Sequence, residues 1–173
     1  MRFIIEEGSI LDIEKIIDTI KYLYDLLENK EWYAIGLANY DKLVEMFNGG
    51  IVIIKALYQD DLAGFLLVED HIDPDSEIAS EIPKEEIPFS IEMDNAGVLP
   101  LYRGNHLEQK MILEAESILK KKNPTIRYSY ATVHPDNLAS FNSLEHIGYQ
   151  KYKRNLCMEE RTVTLCEKNY RNR

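Results

Sequence analysis

The chain has 173 residues, of which 45% are hydrophobic and 29% are charged, and its formal net charge at pH 7 is −10. A chain of this length can bury a sizeable core as one domain, and its apolar fraction excludes an intrinsically disordered protein. The acidic balance argues against nucleic acid and against an anionic membrane as partners, because phosphate binding needs clustered Lys and Arg. The sequence leaves the oligomeric state open.

The sequence lacks the patterns that are typical of a membrane-spanning helix, a signal peptide, a CxxC pair and a metal site. No apolar run reaches the roughly 18 residues that span a bilayer, and the N-terminus lacks the apolar core of a signal peptide. Cys157 and Cys166 lack the CxxC spacing, so we expect two reduced thiols, with a disulfide or a metal ligand as the less favoured alternatives. No His, Cys and Asp cluster has the spacing of metal ligands. We therefore predict a cytoplasmic protein without a metal.

The first 70 residues predict a strand, two helices and a hairpin. Residues 2–7 form the strand, and Ser9 with Asp12 has the pattern of a capping box before an amphipathic helix. A shorter helix is predicted over residues 40–47. Residues 51–58 are β-branched and apolar, and with residues 62–69 they predict an antiparallel hairpin.

Residues 71–88 differ in composition from the rest of the chain. With Asp70, this segment carries three prolines and seven acidic residues. We interpret it as a solvated surface excursion, with a lid that selects a cationic substrate as the alternative.

The C-terminal half alternates strands and helices. A strand is predicted over residues 89–99, a helix over 104–121, a strand over 127–133 and a helix over 137–147. A closing hairpin of residues 149–153 and 155–166 follows, and residues 168–173 form a polar tail. Because strand–helix–strand units need a covered parallel pair, this order predicts a mixed sheet with helices on both faces.

One turn has the properties of an anion site. In the stretch VLPLYRGNHLEQKMI, which begins at Val98, a strand ends at Pro100 and a helix begins after Arg103 and Gly104. The first N–H groups of a helix have no intrahelical acceptor and lie at the positive end of its dipole. A second turn into a helix follows at Asn137 and Ser140, and two neighbouring strand ends of this kind open a cleft.

These two segments together resemble the GNAT superfamily of acyl-CoA-dependent N-acetyltransferases. The family pattern is V-x-P-x-Y-R-G-x-G-(I/L/V)-G, a helix, a strand ending V-x-P-x-N, and a helix ending L-G-(F/Y). The matching residues of this chain are Val98, Pro100, Tyr102, Arg103, Gly104, Leu107, Val133, Pro135, Asn137, Ser140, Ile147, Gly148 and Tyr149.

The resemblance implies a role for each part of the cleft. The turn would hold the CoA pyrophosphate through Arg103, Gly104, Asn105, His106, Leu107 and Glu108. The preceding strand would hold the pantetheine arm and the thioester carbonyl through Ala96, Gly97 and Val98, with the Val98 N–H polarising that carbonyl. Asn137 and Ser140 would form the far wall.

The chain departs from the family pattern at three positions. His106 and Glu108 replace glycines; histidine tolerates positive φ, whereas a glutamate would repel phosphate. Leu144 stands where many family members have a tyrosine that protonates the departing thiolate. A water or one of three other tyrosines would have to substitute, namely Tyr128, Tyr130 or Tyr149.

The resemblance also calls for a base that deprotonates the amine. Strand alternation predicts that Glu92, Asp94 and Ala96 share one face, and Glu92 has a position similar to that of the catalytic glutamate in the histone-acetylating branch. Glu92 or Asp94 is therefore the candidate base, and the alternative is that both carboxylates simply face solvent.

The resemblance thus predicts an α/β fold, a mixed and mostly antiparallel twisted sheet with a central splayed parallel strand pair. One domain would comprise residues 1–70, the excursion 71–88, the CoA-binding motifs in 89–154 and a closing part, 155–173. The implied activity is direct acetyl transfer from acetyl-CoA to a primary amine. The acidic composition favours a cationic acceptor. The alternative is a CoA-binding or protein-interaction module without catalysis.

Overall fold

The computed structural model describes residues 1–33, 35–158 and 161–170. Their strands and helices are, in chain order, β1 (Ile4–Glu7), α1 (Ile13–Leu26), α2 (Tyr40–Asn48), β2 (Ile51–Tyr58), β3 (Asp61–Glu69), α3 (Glu77–Glu81), β4 (Ser90–Val98), α4 (Leu107–Lys122), β5 (Tyr128–Val133), α5 (Leu138–His146), β6 (Gln150–Met158) and β7 (Arg161–Asn169).

The seven strands form one mixed sheet in the order β1-β2-β3-β4-β5-β7-β6. β4 and β5 pair in parallel, and the other neighbouring strands pair antiparallel. The parallel ladder ends at the pair Met93 and Ala131, although β4 continues to Val98. The two central strands therefore separate toward their carboxyl ends, which confirms the predicted fold class.

Apolar side chains cover both faces of this sheet. On one face α4 packs on the sheet through Leu107, Met111 and Ala115, among others. On the other face α1 packs against β2 and β3 through residues such as Ile16 and Ile20. α1 follows a short 3₁₀ turn, where Ser9 and Asp12 exchange both hydrogen bonds of the predicted capping box.

Three sequence expectations are wrong in this part of the fold. Residues 71–88 are not simply a solvated loop, because α3 buries Ile78 against the sheet face formed by Tyr128 and Tyr130. The closing hairpin does not break at residue 154, since β6 runs on through two bulges to Met158. The predicted polar tail begins too early, because Lys168 is buried within β7. Residues 171–173 of that tail lie outside the described residues.

In the described part of the chain, no helix has the length and apolarity needed to cross a membrane. Cys157 is exposed and Cys166 is buried, and both are free thiols.

Candidate functional site

The separation of β4 and β5 exposes one edge of β4. The N–H of Leu99 donates to the carbonyl of Ala63 at 3.0 Å, so these two residues form a hydrogen-bonded antiparallel pair. Val98, which lies opposite Gly64, is then in a non-hydrogen-bonded pair with β3. Its N–H faces the other edge, toward the gap that β5 leaves open.

A bulge in β4 changes which residues face this gap. Val68 pairs with Met93 and Leu67 pairs with Asn95, so Asp94 is the extra residue of the bulge. The predicted shared face of Glu92, Asp94 and Ala96 is therefore wrong. Ala96 packs with Met93 in the cluster under α4. Glu92 is the neighbour of Met93 in β4, so it lies on the opposite face of the sheet, and it pairs with Glu69.

The turn after β4 has the backbone geometry of a site for an anion. Pro100–Tyr102 forms a 3₁₀ turn, and the Arg103 N–H donates back to the Pro100 carbonyl at 3.3 Å. Gly104 has φ 78°, and His106, the residue before α4, has φ 56° and ψ 34° in the left-handed region. The Lys110 N–H then donates to the His106 carbonyl at 3.1 Å, as the first regular bond of the helix. The earlier N–H groups of α4 have no intrahelical acceptor.

Side chains stabilise this turn by donating hydrogen bonds to backbone carbonyls. The Asn105 amide donates to the Tyr102 carbonyl at 3.0 Å, and the Lys110 ammonium donates to the Asn105 carbonyl at 3.0 Å. The Arg103 guanidinium folds back to the Val98 carbonyl at 3.3 Å, which places its positive charge beside the carboxyl end of β4. The His106 side chain does not cap α4.

A groove with a volume of about 580 Å³ lies between this turn and α5. Of the residues predicted to bind the cofactor, it is lined by Ala96, Gly97, Val98, Arg103, Gly104, His106, Leu107, Glu108, Asn137 and Ser140. Ten of the eleven predicted positions therefore surround one cavity. Asn105 is the exception, because its side chain turns into the loop.

Glu108 points across this groove rather than out to solvent. The Ser140 hydroxyl on α5 donates to its carboxylate at 2.9 Å. Burial raises the pKa of Glu108, while hydrogen bonds from Ser140 and Ser143 act in the opposite direction. The glutamate that replaces a family glycine thus connects α4 to α5 at the wall of the groove.

The other wall is formed by the start of α5. The Asn137 side chain caps α5 by accepting the Ser140 N–H at 3.2 Å. Leu144 is buried and lines a second, smaller cavity. The three tyrosines proposed to substitute for it are not among the described residues that line either cavity: Tyr149 is bonded to Ser129, Tyr130 to Glu86, and Tyr128 packs beside α3.

The smaller cavity, about 110 Å³, lies in the gap between β4 and β5. Asp94 and Asn95 line it from the bulge, and Ala131 and His134 line it from β5 and the loop that follows. Of the two candidate bases, Asp94 therefore lies at the gap, whereas Glu92 is not among the lining residues.

Trp32 and Tyr33 line both cavities and were not predicted. They belong to the segment between α1 and α2, where no hydrophobic periodicity marks their position. The one available signal was the chain's single tryptophan next to a tyrosine, directly after the polar residues 28–31.

Within the described ranges, no group of three or more His, Cys, Asp or Glu side chains is arranged to hold a metal ion.

The sequence matches no family model and no curated protein. The structure, however, is similar to solved N-acetyltransferases. The PaiA N-acetyltransferase of Thermoplasma acidophilum, in complex with coenzyme A, is 21% identical, with a TM-score of 0.72 over 98% of this chain and 100% of that one. The aminoglycoside acetyltransferase AAC(6')-Ib, in complex with coenzyme A and kanamycin, is 11% identical, with a TM-score of 0.74 over 98% and 96%.

A GNAT-family acetyltransferase of Staphylococcus aureus is 13% identical, with a TM-score of 0.73 over 98% of this chain and 99% of that one. These likenesses extend over nearly the whole of each chain. They establish that this chain has the fold of the GNAT acetyltransferases.

Proposed function

We propose that this chain, which has the GNAT fold, is an N-acetyltransferase that transfers the acetyl group of acetyl-CoA directly to a primary amine. The observation that carries the proposal is the position of the turn before α4 at one end of the open gap between β4 and β5. An anion site and an unpaired strand edge are the two features that a nucleotide thioester requires. We further propose, from composition alone, that the 173 residues form one cytoplasmic domain and that the amine is cationic.

In this proposal the backbone binds acetyl-CoA. The N–H groups at the start of α4, with Gly104 and His106 in left-handed conformations, receive the pyrophosphate. The pantetheine arm extends along the open edge of β4. The Val98 N–H, which faces the gap, then donates to the thioester oxygen and stabilises the negative charge that develops there.

Asp94 is the group we assign as the base. It lines the small cavity, where the amine would meet the thioester. A protonated amine loses one proton to the carboxylate, and its nitrogen forms a bond to the acetyl carbon. The carbon–sulfur bond breaks on collapse to the amide, the second amine proton passes to solvent, and the thiolate takes a proton from solvent to become the thiol.

Leu144 supplies no proton to the thiolate. An ordinary thiol has a pKa of about 8.5, so the thiolate is a competent leaving group near neutral pH. We therefore propose that it departs without a protein acid.

Two measurements test this function. Acetyl-CoA should raise the melting temperature (Tm) of the protein. At a ligand concentration of 100 times Kd, binding increases the free energy of unfolding by about 2.7 kcal/mol. A thiol-release assay over aminoglycosides, polyamines, amino acids and peptides should then show turnover. Asp94→Asn should lower kcat by about 10²-fold or more, since general base catalysis typically contributes about 10²–10⁴-fold.

Glu92→Gln is the matched control for Asp94→Asn, because it neutralises a carboxylate of the same strand outside the cavity. Equal losses in the two variants would remove Asp94 from the role of base. No Tm shift with millimolar acetyl-CoA would refute the function as a whole.

The competing proposal is a CoA-binding module without catalysis. Leu144 favours it, because this buried residue lines the small cavity with a side chain that cannot protonate the departing thiolate. A Tm shift with acetyl-CoA, together with silence across the whole amine panel, would decide for the module.

A further inference from the structure

The small cavity between β4 and β5 contains three polar atoms without hydrogen-bond partners among the described residues. They are the Trp32 indole nitrogen, the Tyr33 hydroxyl and the Asn95 amide oxygen, and each is shielded from solvent. Asn95 as a whole is only 6% exposed. Buried polar groups are paired in most native proteins, so three such atoms around one cavity indicate a polar ligand.

The chemistry of these atoms is complementary. The indole N–H of Trp32 can only donate a hydrogen bond, and the Asn95 oxygen can only accept one. Burial, together with the nearby charge of Asp94, raises the pKa of Tyr33, so the phenol keeps its proton and can donate. The cavity thus combines two donors on the segment after α1 with an acceptor and a carboxylate on the bulge of β4.

We propose that the acyl acceptor is a primary amine with an oxygen on a neighbouring carbon, and that Trp32 and Tyr33 bind this oxygen while Asn95 and Asp94 bind the amine. This inference rests on the proposed acetyltransferase function and names its substrate class. Amino sugars, with a vicinal hydroxyl, and α-amino carbonyl compounds, with an adjacent carbonyl, share this chemistry.

The size of the cavity is consistent with an acceptor that inserts only its amino end. The cavity has a volume of about 110 Å³, whereas pockets that enclose a whole ligand have about 300–1,000 Å³. The remainder of the acceptor would then lie outside the gap, which explains why the selecting atoms surround the amine rather than a distant part of the molecule.

The test compares amines that differ in this oxygen. Glucosamine and alaninamide represent the two sources, and cyclohexylamine and sec-butylamine are their oxygen-free counterparts. Tyr33→Phe and Asn95→Leu remove the polar atom and keep the approximate shape of the side chain. Tyr22→Phe, at an exposed tyrosine of α1, is the control.

Tyr33→Phe should lower kcat/KM at least tenfold for the oxygen-bearing amine and less than twofold for its oxygen-free counterpart, because a site built to bind an oxygen selects strongly against its absence. Asn95→Leu, which removes a contact to the amine itself, should lower kcat/KM for both members of a pair. Where a counterpart is not acetylated, its inhibition constant against the active amine replaces kcat/KM. The member of the panel with the highest kcat/KM identifies the source.

Equal effects of Tyr33→Phe on both members of a pair would overturn the inference. So would a panel in which no oxygen-bearing amine is acetylated or raises the Tm of the CoA-loaded protein. The proposed function fails separately, since it requires only that acetyl-CoA raises the Tm and that some amine is acetylated. Acetylation of simple alkylamines alone would leave the function intact and refute the acceptor class.

Discussion

Gly97 has no room for a side chain, and we expect Gly97→Ala to impair both stability and catalysis. A Cβ at this position would lie 2.6 Å from Leu23 Cδ1, 2.6 Å from Phe65 Cε1 and 3.0 Å from Phe65 Cζ. Carbon atoms in contact are ordinarily separated by about 3.5–4.0 Å. Two of these contacts are therefore about 1 Å too short, and Phe65 is fully buried, so β4 has to move.

The expected magnitude follows from overpacking. Adding a methyl group to a filled core typically costs about 1–3 kcal/mol. For a domain of this size each kcal/mol lowers the Tm by about 2–4 °C, so we expect a decrease of about 2–12 °C. A shift of β4 by 1 Å also displaces the Val98 N–H, and a misplacement of this size can reduce the rate about 10²-fold.

Calorimetry and the thiol-release assay measure the two effects, and Gly36→Ala is the matched control. Gly36 is exposed, and the nearest atom to a Cβ there is the Lys42 Nζ at 4.0 Å. Adding Leu23→Ala to Gly97→Ala removes one of the short contacts and should restore part of the kcat. If Gly97→Ala and Gly36→Ala have the same Tm and the same kcat, β4 is not confined by Leu23 and Phe65 and the reasoning is refuted.

Three further predictions concern charge and proton transfer. Burial raises the pKa of Glu108 above its ordinary 4.5, so its contribution to stability is present below pH 4.5 and is lost as the pH rises through the raised pKa. Glu108→Gln should therefore exceed the wild type in Tm by a margin that grows as the pH rises above 4.5, and a constant margin would contradict the assignment. The buried Lys168 ammonium lies 2.6 Å from the Glu116 carboxylate, so Glu116→Leu should cost about 3–5 kcal/mol in urea unfolding, and Lys168→Met in the same chain should recover most of it. Leu144→Tyr should raise kcat less than about threefold if the thiolate leaves unaided, and a tenfold rise would show that an acid is needed.

Local features of the fold could be predicted from the sequence because short stretches of chain determine them. Ser9 and Asp12 are three residues apart, and the capping box that they form depends only on that spacing. The turn through Pro100 and Gly104 likewise follows from the restricted φ of proline and the permissive φ of glycine. The prediction that His106 tolerates a positive φ also depends only on the type of residue, and the φ of 56° confirms it.

The features that sequence analysis missed depend on residues far apart in the chain. The bulge at Asp94 arises from the register of β4 against β3, which periodicity within β4 does not specify. Glu108 turns inward because Ser140, 32 residues later, offers a hydroxyl group. From the sequence alone, Lys168 belongs to a polar tail. In the fold it donates a hydrogen bond to Glu116 on α4, which is 52 residues earlier in the chain.

The turn before α4 distinguishes two reasons for a glycine in an anion site. At Gly104 a Cβ would meet nothing within 4 Å, so packing within the protein does not require glycine there. Its φ of 78° does favour glycine, yet His106 shows that a side chain tolerates the left-handed region two residues later. Asparagine is enriched at such φ values. Gly104→Asn should therefore leave the Tm within about 3 °C of the wild type, and any loss of CoA affinity, measured by calorimetric titration, would come from the space the ligand needs. An unchanged affinity would mean that the pyrophosphate does not approach this residue, and would move the anion site toward the N–H groups of α4 itself.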